Sequence, residues 1–186
     1  WITMPIAKKS SHYKLNELAL GTDVRACTKL INKIKNVYFK EKYFKLYFDE
    51  IRLILLNGVR NKTSLSELNI KLIEFFLKIL NISTILTKSS DLMVEGARSE
   101  KLVNIVNSFD ITNYISPPGS AEYLTEDFEI FNKRNIAIWL HQYEPYPYLK
   151  DNWIPYMSIL DVIFRFGPDS KEIVLAGRLP LKPFYG

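Results

Sequence analysis

The chain has 186 residues and a mass of 21.7 kDa, with 47 % hydrophobic and 24 % charged side chains, a net charge of +5 and a pI near 9.1. This is the balance of one packed domain, and it excludes a disordered or low-complexity chain. No apolar run approaches the roughly 20 residues needed to span a bilayer, and the single cysteine, Cys27, rules out an internal disulfide and fits a reducing cytoplasm.

In chain order, Ile2 to Ile6 has strand character, and residues 12–20 fit either a second strand or a short helix. From Thr28 to Leu56 the apolar positions Leu30, Ile31, Ile34, Val37, Tyr38, Phe44, Tyr47, Phe48, Ile51 and Leu55 follow the 3.6-residue period of one long helix, or of two joined near Phe39–Lys42, ended by Asn57-Gly58. Ser64 and Glu67 have the spacing of a capping box, and Leu68, Leu72, Phe76, Ile79 and Leu80 continue as a helix. A strand at Ser83–Leu86 is expected next, then a helix over Ser99–Phe109, a strand at Ile111–Ile115, a helical stretch over 120–131 and a strand at Ile136–Leu140. Ser158–Gly167 reads as a short helix, with Ser158 and Asp161 spaced as a second capping box. The Pro-rich tail is expected to lie extended over the surface. Strands alternating with helices predict an α/β fold: a mainly parallel sheet with helices on both faces, plus a helical segment at about 24–80.

The charge is uneven. Residues 1–62 hold thirteen Lys/Arg against five Asp/Glu, and the remainder twelve against fifteen. Such a front first suggests nucleic acid or an anionic membrane. Here the lysines alternate with Tyr, Phe and Leu at helical spacing, which makes them the solvated face of amphipathic helices. No nucleic-acid partner is expected.

In open α/β sheets, ligands bind beyond the carboxyl ends of the strands. Three such junctions carry candidate residues. Ser116, Gly119 and Ser120, bracketed by Tyr114 and Tyr123, follow the strand at 111–115, where hydroxyls and a helix start suit a phosphate or carboxylate; a rigid Pro-Pro turn capped by Ser120 is the structural alternative. Arg98, Ser99 and Lys101 follow the strand near Ile85, where two cations suit a diphosphate, unless Ser99 caps the helix and the cations are solvated. His141 and the loop carrying Tyr143, Tyr146 and Tyr148 follow the strand at 136–140. Histidine serves as base and acid near neutral pH, and Tyr rings stack on a sugar or base; a core-bound His under Tyr cover is the plainer alternative. Asp161 is read as a helix cap, or as the acid that orients His141 if the loop folds back, and Cys27 as a buried, inert thiol. With His12 and His141 the only histidines and no ligand spacing, no metal and no cofactor are expected.

Three stretches, SSDLMVEGARSEKLVNIVNSFDITNYISPPGSAEYL (89–124), HQYEPYPY (141–148) and WIPYMSILDVIFRFGP (153–168), together resemble the WbqC-like family of bacterial O-antigen and capsule gene clusters. The resemblance is densest from 89 to 168 and thin over the helices at 25–80. It implies a single domain over 1–186 that begins after the family's amino-terminal segment, with its Gln-Pro-Tyr motif. The turn at 116–120 is poorer in glycine than in relatives, which weakens it as a backbone-amide anion site. The resemblance further implies a cytoplasmic role in surface-polysaccharide synthesis, through acyl or aminoacyl (glycyl) transfer to a nucleotide-linked amino sugar. The rival expectation is a non-catalytic sugar-nucleotide-binding or assembly protein. Either way, a nucleotide-linked sugar or similar anionic small molecule is the expected partner, held by Arg98, Ser99, Lys101, Tyr114, Ser116, Gly119, Ser120, Tyr123, Tyr143 and Tyr146, with His141 as the catalytic base.

If the basic front is only a solvated helix face, fluorescence anisotropy with labelled DNA or RNA at physiological salt will show no sub-micromolar binding. A tight complex with a steep salt slope would contradict that reading.

Overall fold

The structure, a computed structural model, describes residues 3–7 and 14–186. In chain order the elements are α1 (Val24–Tyr38), α2 (Phe44–Arg60), α3 (Leu65–Ile79), α4 (Arg98–Ser108), β1 (Asn113–Ser116), α5 (Ala121–Asn132), β2 (Ala137–Leu140), α6 (Ile159–Phe166), α7 (Ser170–Ala176) and β3 (Lys182–Phe184). The chain gathers into two compact units: residues 1–83 with 148–174, and residues 84–147 with 175–186. Ile2, His12 and Tyr13 lie outside the described residues; among the described residues of the opening strand and of the strand-or-helix segment at 12–20, Ile6 forms an isolated bridge with Leu20, and Ala19 with Ser64.

The first unit is helical, as its periodicity predicts. The side chain of Asp23 accepts from the Arg25 and Ala26 amides to start α1, which buries Cys27, Leu30, Ile31, Ile34 and Tyr38 on one stripe. Burial raises the pKa of the Cys27 thiol. The pattern resolves into two helices, broken where the Tyr43 amide turns to the Phe164 carbonyl. Asn57-Gly58 does not end α2. Gly58 lies inside it, where a Cβ would stand 3.1 Å from Leu68 and 3.2 Å from Leu20, so the missing side chain lets α2 and α3 approach closely. The helix stops at Arg60, followed by Lys62 at φ 53°. Both bonds of the Ser64–Glu67 capping box form, at 3.1 and 3.0 Å.

At α6 the second capping box fails. Ser158 accepts from the Leu160 amide, whereas buried Asp161 accepts from the Tyr148 hydroxyl at 2.7 Å and from Arg165 at 3.1 Å. Arg165 also reaches Glu41 at 2.8 Å. A carboxylate out of water is stabilised only when such partners surround it.

The second unit departs further from expectation. β1 and β2 are parallel neighbours in the register Asn113↔Ala137 to Ser116↔Leu140, but Ser83–Leu86 is not a strand. It runs irregularly in solvent with Ile85 89 % exposed, because β-propensity alone supplies no neighbour for its backbone groups. The third strand comes from the Pro-rich tail, as β3 antiparallel to β2, so the sheet is small and mixed rather than mainly parallel. Pro183 is tolerated because an edge strand can turn its missing donor outward. Among the described residues of this unit, helices pack on one face of the sheet, not on both. Val103 and Val106 of α4 pack with Leu124 and Phe131 of α5 against Tyr114, Ile138, Leu140 and Phe184, all on one face. Asn113, Ile115 and Ala137 are exposed on the other, where Trp139 is held by a 2.9 Å bond to the Asn113 side chain.

Burial and the adjacent Asp161 carboxylate push the Tyr38 hydroxyl from 10.0 up to about 12, and the same two causes raise Tyr148. The folded state therefore holds the Tyr38 proton more tightly than the unfolded chain. Its contribution is complete below pH 10.0 and is lost as pH rises through about 12. Urea titrations across that window will show falling stability, and Tyr38→Phe will flatten the fall; an unchanged slope in the variant would contradict the assignment.

Candidate functional site

The first unit holds an apolar hollow of ≈ 260 Å³ lined by residues such as Leu30, Ile34, Leu55, Leu68, Leu72 and Phe76, and none of its lining side chains is titratable. The residues singled out by sequence lie elsewhere, and eight of them gather at the carboxyl edge of β1 and β2.

At the turn from β1 to α5, Ser116 and Ser120 are buried with their hydroxyl oxygens 2.6 Å apart. Ser120 donates to the Pro117 carbonyl at 2.6 Å. A hydroxyl has one proton, so Ser120 must accept from Ser116. The Ser116 oxygen then faces the Tyr114 hydroxyl at 3.4 Å. Tyr114 stacks on Phe131 and is pushed to a higher pKa by burial, with Tyr123 beside it. The two serines thus lock the turn from within, and what the turn offers solvent is Gly119, where an added Cβ would meet nothing within 4 Å, and the exposed Tyr123.

Arg98, Ser99 and Lys101 lie at the start of α4. Ser99 makes no cap; buried, it donates to Asp127 at 2.6 Å. Asp127 is six residues into α5, roughly 9 Å along its axis from the serine turn at 1.5 Å per residue. The bond therefore ties the start of α4 to the middle of α5, not to its beginning. Arg98, exposed at φ 49°, and half-buried Lys101 form no ion pair among the described residues.

The His141 loop is held by backbone bonds. The His141 amide donates to the Ser116 carbonyl at 2.8 Å, continuing the β1–β2 ladder. Beyond it, Tyr143 bridges Arg178 of the tail, with Glu144 N–H to the Gly177 carbonyl at 2.9 Å and Leu179 N–H to the Gln142 carbonyl at 3.2 Å. The pairing slips by one residue between Leu140↔Lys182 and Tyr143↔Arg178, a bulge at Leu179–Leu181. A Cβ on Gly177 would overlap the Glu144 carbonyl and lie 2.7 Å from the Tyr143 ring, so only glycine allows this approach.

Side chains alternate along a strand. Leu140 shares the helix-covered face with Ser116, and His141 falls with Trp139 and Tyr143 on the uncovered face. The His141 and Tyr143 rings are nearly parallel there, at 14° with centroids 6.5 Å apart. His141, Tyr143 and Tyr146 are all exposed, and the His141 ring has no hydrogen-bond partner among the described residues.

The expected residues therefore fall into three places: Tyr114, Ser116, Gly119, Ser120 and Tyr123 at the serine turn; His141, Tyr143 and Tyr146 along the loop; Arg98, Ser99 and Lys101 at α4. The first two meet at one sheet edge through the Ser116–His141 backbone bond. Gly177 and Arg178 were missed. Their only cue was a glycine after a helix, which reads equally well as a helix end. Among the described residues no group of three or more His, Cys, Asp or Glu side chains is placed to hold a metal.

Gly177→Ala introduces an overlap in the strand pair that carries the loop. Denaturant titration should show a loss of about 1–3 kcal/mol, the usual cost of overpacking, and full wild-type stability would contradict the close approach.

The chain is 29 % identical over 177 residues to the uncharacterized protein Rv1507c of Mycobacterium tuberculosis, an alignment covering 92 % of this chain and 74 % of that protein. No solved structure matches. Among the described residues, no helix is long and apolar enough to cross a membrane. The model of the WbqC-like protein family matches residues 1–173, so this chain belongs to the WbqC-like family.

Proposed function

We propose that the carboxyl edge of β1 and β2 binds a nucleotide-linked sugar or similar anionic small molecule, and that the protein transfers an acyl or aminoacyl group to an amino sugar in surface-polysaccharide synthesis. The observation that carries this reading is His141: an exposed ring with no partner among the described residues, on a backbone fixed on both sides by ladder bonds. Histidine takes up and returns protons near neutral pH. As the sugar amine attacks the donor carbonyl, an N–C bond forms and the amine proton passes to His141. The acyl–leaving-group bond then breaks as the proton is returned to the leaving group. Tyr143 and Tyr146 supply faces for a sugar or base ring. Ser116 and Ser120 are buried and bonded to each other, and in this reading they shape the turn.

Non-catalytic binding of the same ligand is the second reading. Among the described residues no carboxylate orients the His141 ring, as a catalytic base is usually oriented. Turnover separates the two. With a panel of nucleotide-linked amino sugars and acyl donors, His141→Ala should lower kcat by about 10²–10⁴-fold and leave the binding affinity nearly unchanged. A fully active His141→Ala protein would overturn the catalytic assignment.

A further inference from the structure

We propose that Arg178 is the cationic anchor of this site and holds the phosphate of a phosphate-bearing ligand beside Tyr143. The inference rests on the reading of the His141 loop as a site for an anionic small molecule, and it identifies which cation serves it. A phosphate at a solvent-facing site needs a fixed positive partner, and arginine offers a planar fork that matches it. The two cations expected for this role, Arg98 and Lys101, belong to the start of α4, which Ser99 ties to the middle of α5. The tail supplies another. The bonds Glu144 N–H to Gly177 O and Leu179 N–H to Gln142 O flank the Tyr143–Arg178 bridge, which makes it a non-hydrogen-bonded antiparallel pair. In such a pair the Cα atoms are about 4.5 Å apart and both side chains project from the same face. Arg178 thus stands beside Tyr143, which is followed along the strand by the His141 ring on that face.

Three further observations favour a ligand role. Arg178 is exposed and makes no ion pair among the described residues. Glu144, the acid next to Tyr143, alternates to the opposite face. Gly177 presents no side chain between Tyr143 and the tail backbone, so the backbone positions from which the ring and the Arg178 side chain project are set by a strand pair. Lys182 is a built-in comparison. It lies on the same tail and pairs with Leu140, but on the helix-covered side of the pleat.

The test is calorimetric titration of the full chain with uridine diphosphate and, separately, with inorganic pyrophosphate, which distinguishes phosphate recognition from base recognition. Arg178→Ala should weaken both by about tenfold or more, and Arg178→Lys should recover part of the loss, with melting temperatures equal to wild type. Lys182→Ala and Arg98→Ala should change affinity by no more than about twofold. Wild-type affinity in Arg178→Ala would overturn the proposal while leaving the anionic-ligand site standing. Equal losses in Lys182→Ala would also overturn it, by reducing the effect to general charge, and a loss confined to Arg98→Ala would overturn it by returning the anchor to α4. If the wild-type protein binds neither probe at millimolar concentration, the anionic-ligand reading itself fails and the anchor with it.

Discussion

The antiparallel pairing of the tail with the chain from Ile138 to Glu144 is the interaction on which the second unit depends. Without it the sheet would consist of two four-residue strands, and a two-stranded sheet has little independent stability. The same pairing turns residues 141–144 from a free loop into a ladder held at Ser116 on one side and at Gly177 and Leu179 on the other. Completing the sheet and presenting His141 and Tyr143 are therefore one structural event. The close approach at Gly177 is its tightest point, because the Glu144 carbonyl, a backbone group, cannot yield to a side chain there.

The first unit solves a different problem. Its apolar stripe is continuous from Cys27 to Phe164, and its lysines remain in water on the opposite side of the helices. The costly element is Asp161, a buried carboxylate whose two oxygens are engaged by Tyr148 and Arg165. Removing one partner of such a cluster is far more damaging than its net contribution suggests, since the remaining charge stays out of water. Tyr148 is also the first residue of the segment that completes this unit, Tyr148–Val174.

Legibility followed the range of the interactions. The stripe Leu30, Ile34, Phe44, Phe48, Ile51 and the Ser64–Glu67 box are local patterns, and the helices they specify form where expected. Gly58 shows the limit: a glycine read as a helix stop is instead a packing contact with Leu68, which no local window contains. Strands depend on partners. Ser83–Leu86 has the composition of a strand but pairs with no strand among the described residues, whereas Lys182–Phe184 contains a proline and pairs with β2. At the candidate site, Ser116 and His141 do lie at the ends of β1 and β2, but Arg98, Ser99 and Lys101 follow no strand, and the contacts of the serines reach 4 to 28 residues away, Ser116 with Ser120 and Ser99 with Asp127. Arg178 was illegible because its place is set by a pairing across 35 residues of chain, from Tyr143 to Arg178.

Native-state amide hydrogen exchange is the most direct measurement of the pairing that holds the site together, because exchange reports the opening free energy of each bonded amide. The Glu144 and Leu179 amides should be protected together with His141 and Ala137 and exchange as one cooperative group with the sheet. Exchange of Glu144 and Leu179 at the rate of an open loop, while Ala137 stays protected, would contradict the account, because His141 and Tyr143 would then have no rigid frame.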